Sequence, residues 1–291
     1  MKRVKESQAV LVPDVATSAA VPTQRGGHRA NQLDGKTWTK YSISIWSDIR
    51  KTQEETQLGH PAMFPLQLAA RLLECFTTND DTLILDPFAG VGTTAIAADR
   101  SNKVGIGIEL SSKFAEIATK RLGQRDMFSA ESRGSKIYCD DARNLLKYVA
   151  PNSIDMVITS PPYWDILTLK RTADYKEIRH YGDEKQDLGK IADYAEFLDA
   201  LSAIFRLVFQ ALKPNKYCVV VVMDLRKKDQ FFPFHADLAR KLADDVGFVF
   251  DDLFIWDRRH EYNNMRPLGY PSVFRINKAH EYILIFKKPA A

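Results

Sequence analysis

Residues 86–94 read DPFAGVGTT, directly after a short apolar run at 82–86 and directly before a helical pattern that begins at Thr93. Glycine reaches backbone angles closed to other residues, so Gly90 and Gly92 allow a ligand to approach the main chain. The first amides of the following helix are free hydrogen-bond donors. This order of strand, glycine loop and helix predicts a cofactor cradle, with a tight turn that binds nothing as the alternative.

Short β-rich runs alternate with longer helical runs on both sides of this loop. Strands are predicted at 82–86, 103–109, 136–139, 154–159, 217–223, 248–256 and 281–286. Helices are predicted at 64–76, from 93 onward, and at 111–122, 193–212 and 235–245. Such alternation indicates parallel βαβ units in an α/β doubly wound sheet. The last two strands follow a long connection and need not be parallel.

The composition is that of an ordinary globular protein. The 291 residues are 45% hydrophobic and 27% charged, with a formal net charge of +4, which excludes wholesale disorder, collagen and coiled coil. No apolar run reaches the roughly 18 residues of a membrane span, so we expect a cytoplasmic protein. The three cysteines show no CxxC spacing and the histidines have no ligand partner at helical spacing, so neither a disulfide framework nor a metal site is predicted.

The predicted domain organisation is a flexible arm followed by one domain. Residues 1–35 mix small polar residues, proline and scattered charge without apolar periodicity, which is typical of a flexible segment. Residues 36–291 are predicted to form a single domain with loop insertions at about 164–192 and 257–280. No internal repeat or interior linker divides this region.

An acidic residue ends the second predicted strand of the βαβ unit. Glu109 lies seventeen residues beyond Gly92, where a carboxylate can accept hydrogen bonds from ribose hydroxyls. A nucleoside-bearing cofactor is therefore expected, and Ala95 at the third glycine position leaves NAD open. A carboxylate at Asp86 would repel a pyrophosphate but would favour a cofactor with an amine and a sulfonium, which favours S-adenosyl-L-methionine.

A second motif follows the strand predicted at 154–159. Ser160-Pro161-Pro162-Tyr163 stands at the carboxyl end of that strand, the edge where doubly wound sheets bind ligands. The two prolines fix the backbone and remove two amide donors, so nearby carbonyls can act as preorganised acceptors. A flat partner with an exocyclic amino group suits this tetrad, with Ser160 and the Pro161 carbonyl accepting from the amine and Tyr163 stacking on the base. A proline-rich loop with one packed aromatic is the alternative.

Together the two motifs resemble the amino-methyltransferases of DNA, which methylate cytosine N4 or adenine N6 with S-adenosyl-L-methionine. The resemblance covers most of residues 60–288 and includes His60-Pro-Ala-Met-Phe-Pro65 and Asp140-Asp-Ala-Arg143. It implies a seven-stranded, Rossmann-like class I methyltransferase fold and a base flipped out of the duplex. It also implies that the catalytic residues are Ser160, Pro161, Pro162 and Tyr163. The cofactor-binding residues that it implies are Phe64, Pro65, Asp86, Phe88, Gly90, Gly92, Thr93, Glu109 and Asp141.

A serine in the first position of the tetrad resembles the cytosine N4 branch of the family. Adenine N6 methylation and RNA amino-methylation are the alternatives, followed by an inactive nucleic-acid-binding module and, last, a dehydrogenase. Methylation at cytosine C5 is set aside, because that chemistry uses a Pro-Cys pair and none of the three cysteines follows a proline.

The predicted DNA surface is the basic connection at 258–278, which interleaves aromatics with positive charge. A solvated strand connection is the alternative. The predicted contacts are Trp164, Arg258, Arg259, Arg266, Arg275 and Lys278. Family members with this motif order commonly carry a target-recognition domain behind the catalytic half, where this chain ends. We therefore expect recognition from the N-terminal segment, the insertions or a second subunit of a homodimer, with a cognate restriction endonuclease as a possible partner.

Overall fold

The computed structural model describes residues 29–58, 63–124, 134–165, 187–262, 268 and 271–290. Its strands within these ranges are β1 Ile45–Trp46, β2 Leu83–Asp86, β3 Val104–Glu109, β4 Lys136–Cys139, β5 Ile154–Thr159, β6 Leu212–Val222, β7 Leu225–Lys227, β8 Gln230–Phe232, β9 Val249–Asp257 and β10 His280–Lys287. The α-helices are α1 Gly35–Tyr41, α2 Gln53–Gln57, α3 Leu66–Phe76, α4 Thr93–Arg100, α5 Ser112–Gly123, α6 Tyr194–Ala211 and α7 Phe234–Lys241. Short 3-10 turns and a π-helical extension at Leu242–Val246 complete the described elements.

In the described ranges, eight strands form one sheet in the order β1-β9-β10-β6-β5-β2-β3-β4, and β7 and β8 form a separate hairpin. The five neighbouring strands β6, β5, β2, β3 and β4 are parallel to one another. Strand β10 is antiparallel to both β6 and β9. This arrangement confirms the predicted α/β doubly wound fold of the class I methyltransferase type. The eighth strand was not predicted: β1 pairs with Ile255 and Trp256 of β9, and two residues are too short for a periodic signal.

The core lies on both faces of the sheet, as expected for parallel strands covered by helices. All six residues of β5 are buried. Val157 belongs to the apolar cluster that includes Phe205 of α6, while Met156 and Ile158 belong to the cluster that includes Leu72 of α3. The central strand is thereby fixed from both sides, which gives the residues that follow it a rigid base.

Close packing of α4 against β3 depends on a glycine in the strand. A Cβ at Gly105 would lie 2.5 Å from the Cα of Ala95, a distance that no real side chain can occupy. The small residue at Ala95 was predicted to take the place of the third glycine of a dinucleotide loop. In the fold, Ala95 and Gly105 together supply that close contact.

Part of the region predicted as an arm packs on the domain. Asn31 is buried, and its Nδ2 donates a hydrogen bond of 2.9 Å to the carbonyl of Cys75. Residues 1–28, most of the insertion predicted at 164–192, and part of that at 257–280 lie outside the described residues. Within the described part of the chain, no helix has the length and apolarity needed to span a membrane.

Candidate active site

The glycine loop adopts the backbone conformation that its sequence requires. Gly90 and Gly92 have φ angles of 53° and 80°, both in the left-handed region. Gly92 is the residue before α4, and a Cβ there would lie 2.9 Å from the Cβ of Ala118 on α5. The loop therefore needs glycine at position 92 for two reasons, the backbone angle and the packing of a neighbouring helix.

Asp86 connects the loop to the neighbouring strand. Its Oδ1 accepts hydrogen bonds from the Phe88 amide at 3.0 Å and from Thr159 Oγ1 at 2.6 Å, and its Oδ2 accepts from Thr94 Oγ1 at 2.8 Å. Burial raises the pKa of the carboxyl to about 6, and these three hydrogen bonds to the charged form oppose the rise. Asp86 therefore fixes the ends of β2 and β5 and the start of α4 relative to one another.

Glu109 holds the loop from the other side. Its Oε2 accepts from the Gly90 amide and its Oε1 from the Ser111 amide, both at 2.8 Å. Burial raises the pKa of this carboxyl to about 7, while the two amide hydrogen bonds favour its charged form. The sequence predicted a ribose contact for Glu109. The structure shows in addition that Glu109 accepts a hydrogen bond from the loop amide of Gly90, which the spacing of the two residues in the sequence does not indicate.

These elements border an open cleft at the carboxyl edge of the sheet, with a volume of about 880 Å³ when the space open to solvent is included. Seven of the nine predicted cofactor residues line it: Phe64, Asp86, Phe88, Gly90, Thr93, Glu109 and Asp141. Pro65 and Gly92 do not. Pro65 precedes α3 and accepts a hydrogen bond from the Leu68 amide, and Gly92 packs below the loop against α5. His60, Pro61 and Ala62 of the quoted motif lie outside the described residues.

Thr93, the first residue of α4, carries a side-chain hydroxyl that borders the cleft. Its Oγ1 is buried at the wall of the cleft and makes no hydrogen bond within the part of the chain that the structure describes. A buried hydroxyl left in this way costs free energy unless a ligand or water satisfies it. Its position at the helix start, beside a glycine loop, fits a hydrogen-bonding ligand in the cleft.

The far wall of the cleft begins after β4. Asp141 accepts a hydrogen bond from the Arg143 amide at 2.8 Å and forms an ion pair with the Arg143 side chain, also at 2.8 Å. Both residues line the cleft. The predicted position of Asp141 beside an adenine ring stays a prediction, and the side chain already holds the turn at Ala142–Lys147 in place.

The tetrad opens into the same cleft. Ser160 and Pro162 line it, whereas Pro161 and Tyr163 are buried behind them. The Tyr163 hydroxyl donates a hydrogen bond of 3.2 Å to Glu281 Oε2 and lies 3.4 Å from Ser160 Oγ. Because β5 pairs directly with β2, the tetrad and the glycine loop stand side by side. The predicted stacking of Tyr163 on a base stays a prediction.

Trp164 packs inside the protein and exposes only 4% of its surface. Its indole N–H donates a hydrogen bond of 2.8 Å to the Ile191 carbonyl, and the Lys227 ammonium lies 3.9 Å from the ring centroid. These contacts give the indole a packing role, and the predicted contact with DNA has no exposed ring surface to support it.

Most of the predicted basic DNA contacts have partners within the chain. Arg258 forms ion pairs with Glu261 and Glu281, and Arg259 pairs with Asp257 at 2.6 Å while 78% of its side chain stays exposed. Arg275 pairs with Asp229 at 2.7 Å, Lys278 donates to the Asp224 carbonyl at 2.6 Å, and Arg266 lies outside the described residues. Arg259 is therefore the best-exposed cation among the described members of this set.

Sequence reasoning missed several residues that line the cleft. Asp187 and Leu188 come from the insertion predicted at 164–192, and Ile204 comes from α6. Apolar spacing gives no sign that a loop residue returns to a cleft twenty or more residues after the tetrad. No group of three or more His, Cys, Asp or Glu side chains in the described ranges could hold a metal ion.

The fold defines a class I methyltransferase domain, and its glycine loop and Ser160 border the same cleft. A family model for DNA methylases of the N6/N4 type matches residues 12–120 and 154–291, so the chain belongs to this family. Similar curated proteins include the type II beta methyltransferase M.BslI of Bacillus sp. (strain NEB-606), 45% identical over 86 residues, or 29% of this chain and 9% of that protein. The type II methyltransferase M.BglI of Bacillus subtilis is 36% identical over 110 residues, or 37% of this chain and 30% of that protein.

Among solved structures, the chain is similar to a proposed DNA modification methylase of Thermus thermophilus, described in complex with S-adenosyl-L-methionine. The identity is 29%, the match covers 52% of each chain, and the TM-score is 0.35. The chain thus spans less than a third of each of these two curated relatives and about half of this solved structure.

Proposed function

We propose that this protein transfers a methyl group from S-adenosyl-L-methionine to the exocyclic amino group of a base in DNA. One observation carries the proposal: Ser160 and the glycine loop line the same cleft, at the ends of two directly paired strands. Methyl transfer needs a donor and an acceptor nitrogen held in line a few ångströms apart, and adjacent strand ends provide this geometry.

The cleft residues fit the proposed cofactor. Glu109 can accept from ribose hydroxyls, because each carboxylate oxygen uses one amide hydrogen bond and keeps further acceptor capacity. Thr93 Oγ1, without a partner among the described residues, supplies a further polar contact. Phe64 and Phe88 line the same space with apolar surface. When bound, the cofactor's sulfonium supplies an electrophilic methyl group.

The tetrad residues act by positioning rather than by covalent chemistry. We assign the Ser160 hydroxyl and the Pro161 carbonyl as acceptors for the amine protons, which directs the nitrogen lone pair at the methyl group. As the N–C bond forms, the S–C bond of the cofactor would break and leave a neutral thioether, and the methylated amine would release one proton to solvent. Pro161 and Pro162 fix the loop, so these acceptors are in place before the base arrives. Ser160 is an acceptor in this account and forms no bond to the base.

Cytosine N4 is our proposed target, with adenine N6 as the second candidate. The support is the serine at the first tetrad position, which resembles the N4 branch. The two curated relatives are named as type II methyltransferases, and we propose the same role for this chain. We also propose that the protein is located in the cytoplasm. A cognate restriction endonuclease and a homodimer are part of the same proposal.

Transfer of a labelled methyl group tests the proposal. The purified protein is incubated with methyl-labelled S-adenosyl-L-methionine and, in separate reactions, duplex DNA, single-stranded DNA and RNA of the same sequences. We expect label in DNA with the wild type and loss of most of it with the Ser160→Ala variant. Label in RNA alone would replace the DNA assignment with an RNA amino-methyltransferase. Cofactor binding without transfer to any of the three would support an inactive binding module.

A further inference from the structure

Glu281 is far from the tetrad in the sequence but close to it in the fold, because it belongs to the antiparallel strand β10. β10 runs opposite to β6, so its first residues lie at the carboxyl edge where β5 ends. Glu281 is the second residue of β10 and is buried. Its Oε2 accepts the 3.2 Å hydrogen bond from the Tyr163 hydroxyl. No motif in the sequence associates this residue with residues 160–163.

Arg258 holds the other oxygen of Glu281. Its Nη1 donates to Glu281 Oε1, and its Nη2 donates to Glu261 Oε2. The guanidinium also lies 4.8 Å from the ring centroid of Trp256, a fully buried residue at the end of β9. A cation stacked on a buried ring and bound by two carboxylates is restricted in position. Arg258 therefore fixes the Glu281 carboxylate rather than facing a DNA phosphate.

The chemistry of these groups sets the direction of each hydrogen bond. A carboxylate paired with a guanidinium only accepts, so the Tyr163 hydroxyl donates to Glu281. The Tyr163 oxygen is then left with lone pairs toward Ser160, at 3.4 Å. If the Ser160 hydroxyl donates to that oxygen, its own lone pairs remain available to a group in the cleft, which Ser160 lines. Catalytic hydrogen bonds are often long in ligand-free structures and shorten when substrate binds, so a distance of 3.4 Å is compatible with this role.

We propose that Glu281, held by Arg258, is a positioning residue that acts through Tyr163 to keep Ser160 an acceptor toward the target amine. The inference rests on the proposed function, because it says which groups orient Ser160, the residue proposed to accept a hydrogen bond from the amine. If Ser160 instead donated into the cleft, its hydroxyl would repel the amine protons and the lone pair would not be released.

Two single variants and their combination test the inference. Glu281→Gln replaces the acceptor with a group that also donates, and Tyr163→Phe removes the linking hydroxyl. Each is expected to lower kcat by about tenfold, in the range of coupled hydrogen-bonded networks, with the KM for S-adenosyl-L-methionine unchanged. Because both changes break one path, the double variant is expected to match Tyr163→Phe alone. Asp48→Asn, which breaks an arginine–carboxylate pair with Arg71 outside the cleft, is expected to keep kcat.

The outcomes separate this inference from the proposed function. A kcat within about twofold of wild type for Glu281→Gln, or additive losses in the double variant, would overturn the positioning role. If Glu281→Gln does not fold, Tyr163→Phe decides, because unchanged kcat there removes the linking hydroxyl from the path. A wild-type protein that transfers no methyl group to nucleic acid would overturn both the proposed function and this inference. Wild-type transfer together with unaffected variants would overturn this inference alone.

Discussion

Thr159 Oγ1 donates a hydrogen bond of 2.6 Å to Asp86 Oδ1, and this bond joins the end of β5 to the end of β2. Both side chains are buried, so the bond is shielded from water. One residue belongs to the start of the glycine loop and the other immediately precedes the tetrad. The distance between the two halves of the proposed site is therefore fixed by a buried side-chain contact in addition to the sheet ladder.

Thr159→Val keeps the shape of the side chain and removes this donor. We expect a loss of about 1–3 kcal/mol in the free energy of unfolding, because Asp86 stays buried with one hydrogen bond fewer. Urea denaturation measures the change. Thr39→Val, on the exposed helix α1, is the control and should stay within about 0.5 kcal/mol of wild type. Equal stability of Thr159→Val and wild type would show that the contact does not hold the strand ends together.

Gly92→Ala tests the glycine loop. The substitution places a Cβ at a φ of 80° and 2.9 Å from the Cβ of Ala118, so we expect a destabilisation of about 1–3 kcal/mol and weaker cofactor binding. Gly123→Ala, where a Cβ meets nothing within 4 Å, is the matched control. Thermal unfolding and calorimetric titration with S-adenosyl-L-methionine measure the two effects. A Gly92→Ala variant as stable as Gly123→Ala would contradict the assigned loop geometry.

Glu109 gives the protein a specific pH dependence of stability. Burial raises its pKa from 4.5 to about 7, so the folded state retains a proton that the unfolded chain has lost in this interval. The contribution of Glu109 to the free energy of unfolding is therefore fully present below the pKa that this carboxyl has in the unfolded chain. That contribution is lost as pH rises through about 7. It amounts to at most about 3 kcal/mol. Asp86, with a pKa raised to about 6, acts in the same direction at lower pH.

Denaturation curves of wild type and Glu109→Gln at about pH 5 and about pH 8 isolate this effect, since Asp86 is common to both proteins. The wild type is expected to lose more stability than the variant between the two pH values. A wild type that gains stability with rising pH relative to Glu109→Gln would mean that the carboxyl is not desolvated in the folded state.

The salt dependence of DNA binding separates Arg259 from Arg258. Arg259 is largely exposed, and Arg259→Gln is expected to lower the slope of log K against log salt concentration by about 1, the value for one phosphate contact. Arg258 is held by Glu261 and Glu281, so Arg258→Gln should leave the slope unchanged and lower turnover. Loss of slope in Arg258→Gln would restore it as a phosphate contact.

The sequence predicted the parts of this protein that local patterns encode. Residues 136–139 and 154–159 form strands with the predicted bounds, and the glycine loop lies where its strand and helix signals indicate. The two-residue strand Ile45–Trp46 could not be predicted, because its order comes from pairing with β9 rather than from its own pattern. The same holds for Asn31, which one hydrogen bond to Cys75 attaches to the domain.

For the site, residue type and spacing predicted which side chains border the cleft but not what those side chains bind. Asp86 and Glu109 were assigned to the cofactor, yet each also accepts hydrogen bonds from the loop that it supports. Basic residues at 258–278 were predicted to meet DNA from their charge and from the aromatics between them. Their acidic partners include Glu281 and Asp229, which come from other parts of the chain. Such long-range pairs leave no local signal in a sequence.

Identification of the modified nucleoside tests the central claim most directly. DNA incubated with the protein and S-adenosyl-L-methionine is digested to nucleosides and separated by liquid chromatography with mass spectrometry, with Ser160→Ala treated in parallel. We predict N4-methylcytosine in the wild-type sample and far less of it with Ser160→Ala. N6-methyladenine would keep the site and change the base. 5-Methylcytosine, or equal product from Ser160→Ala, would contradict methyl transfer to a base amine held by the tetrad.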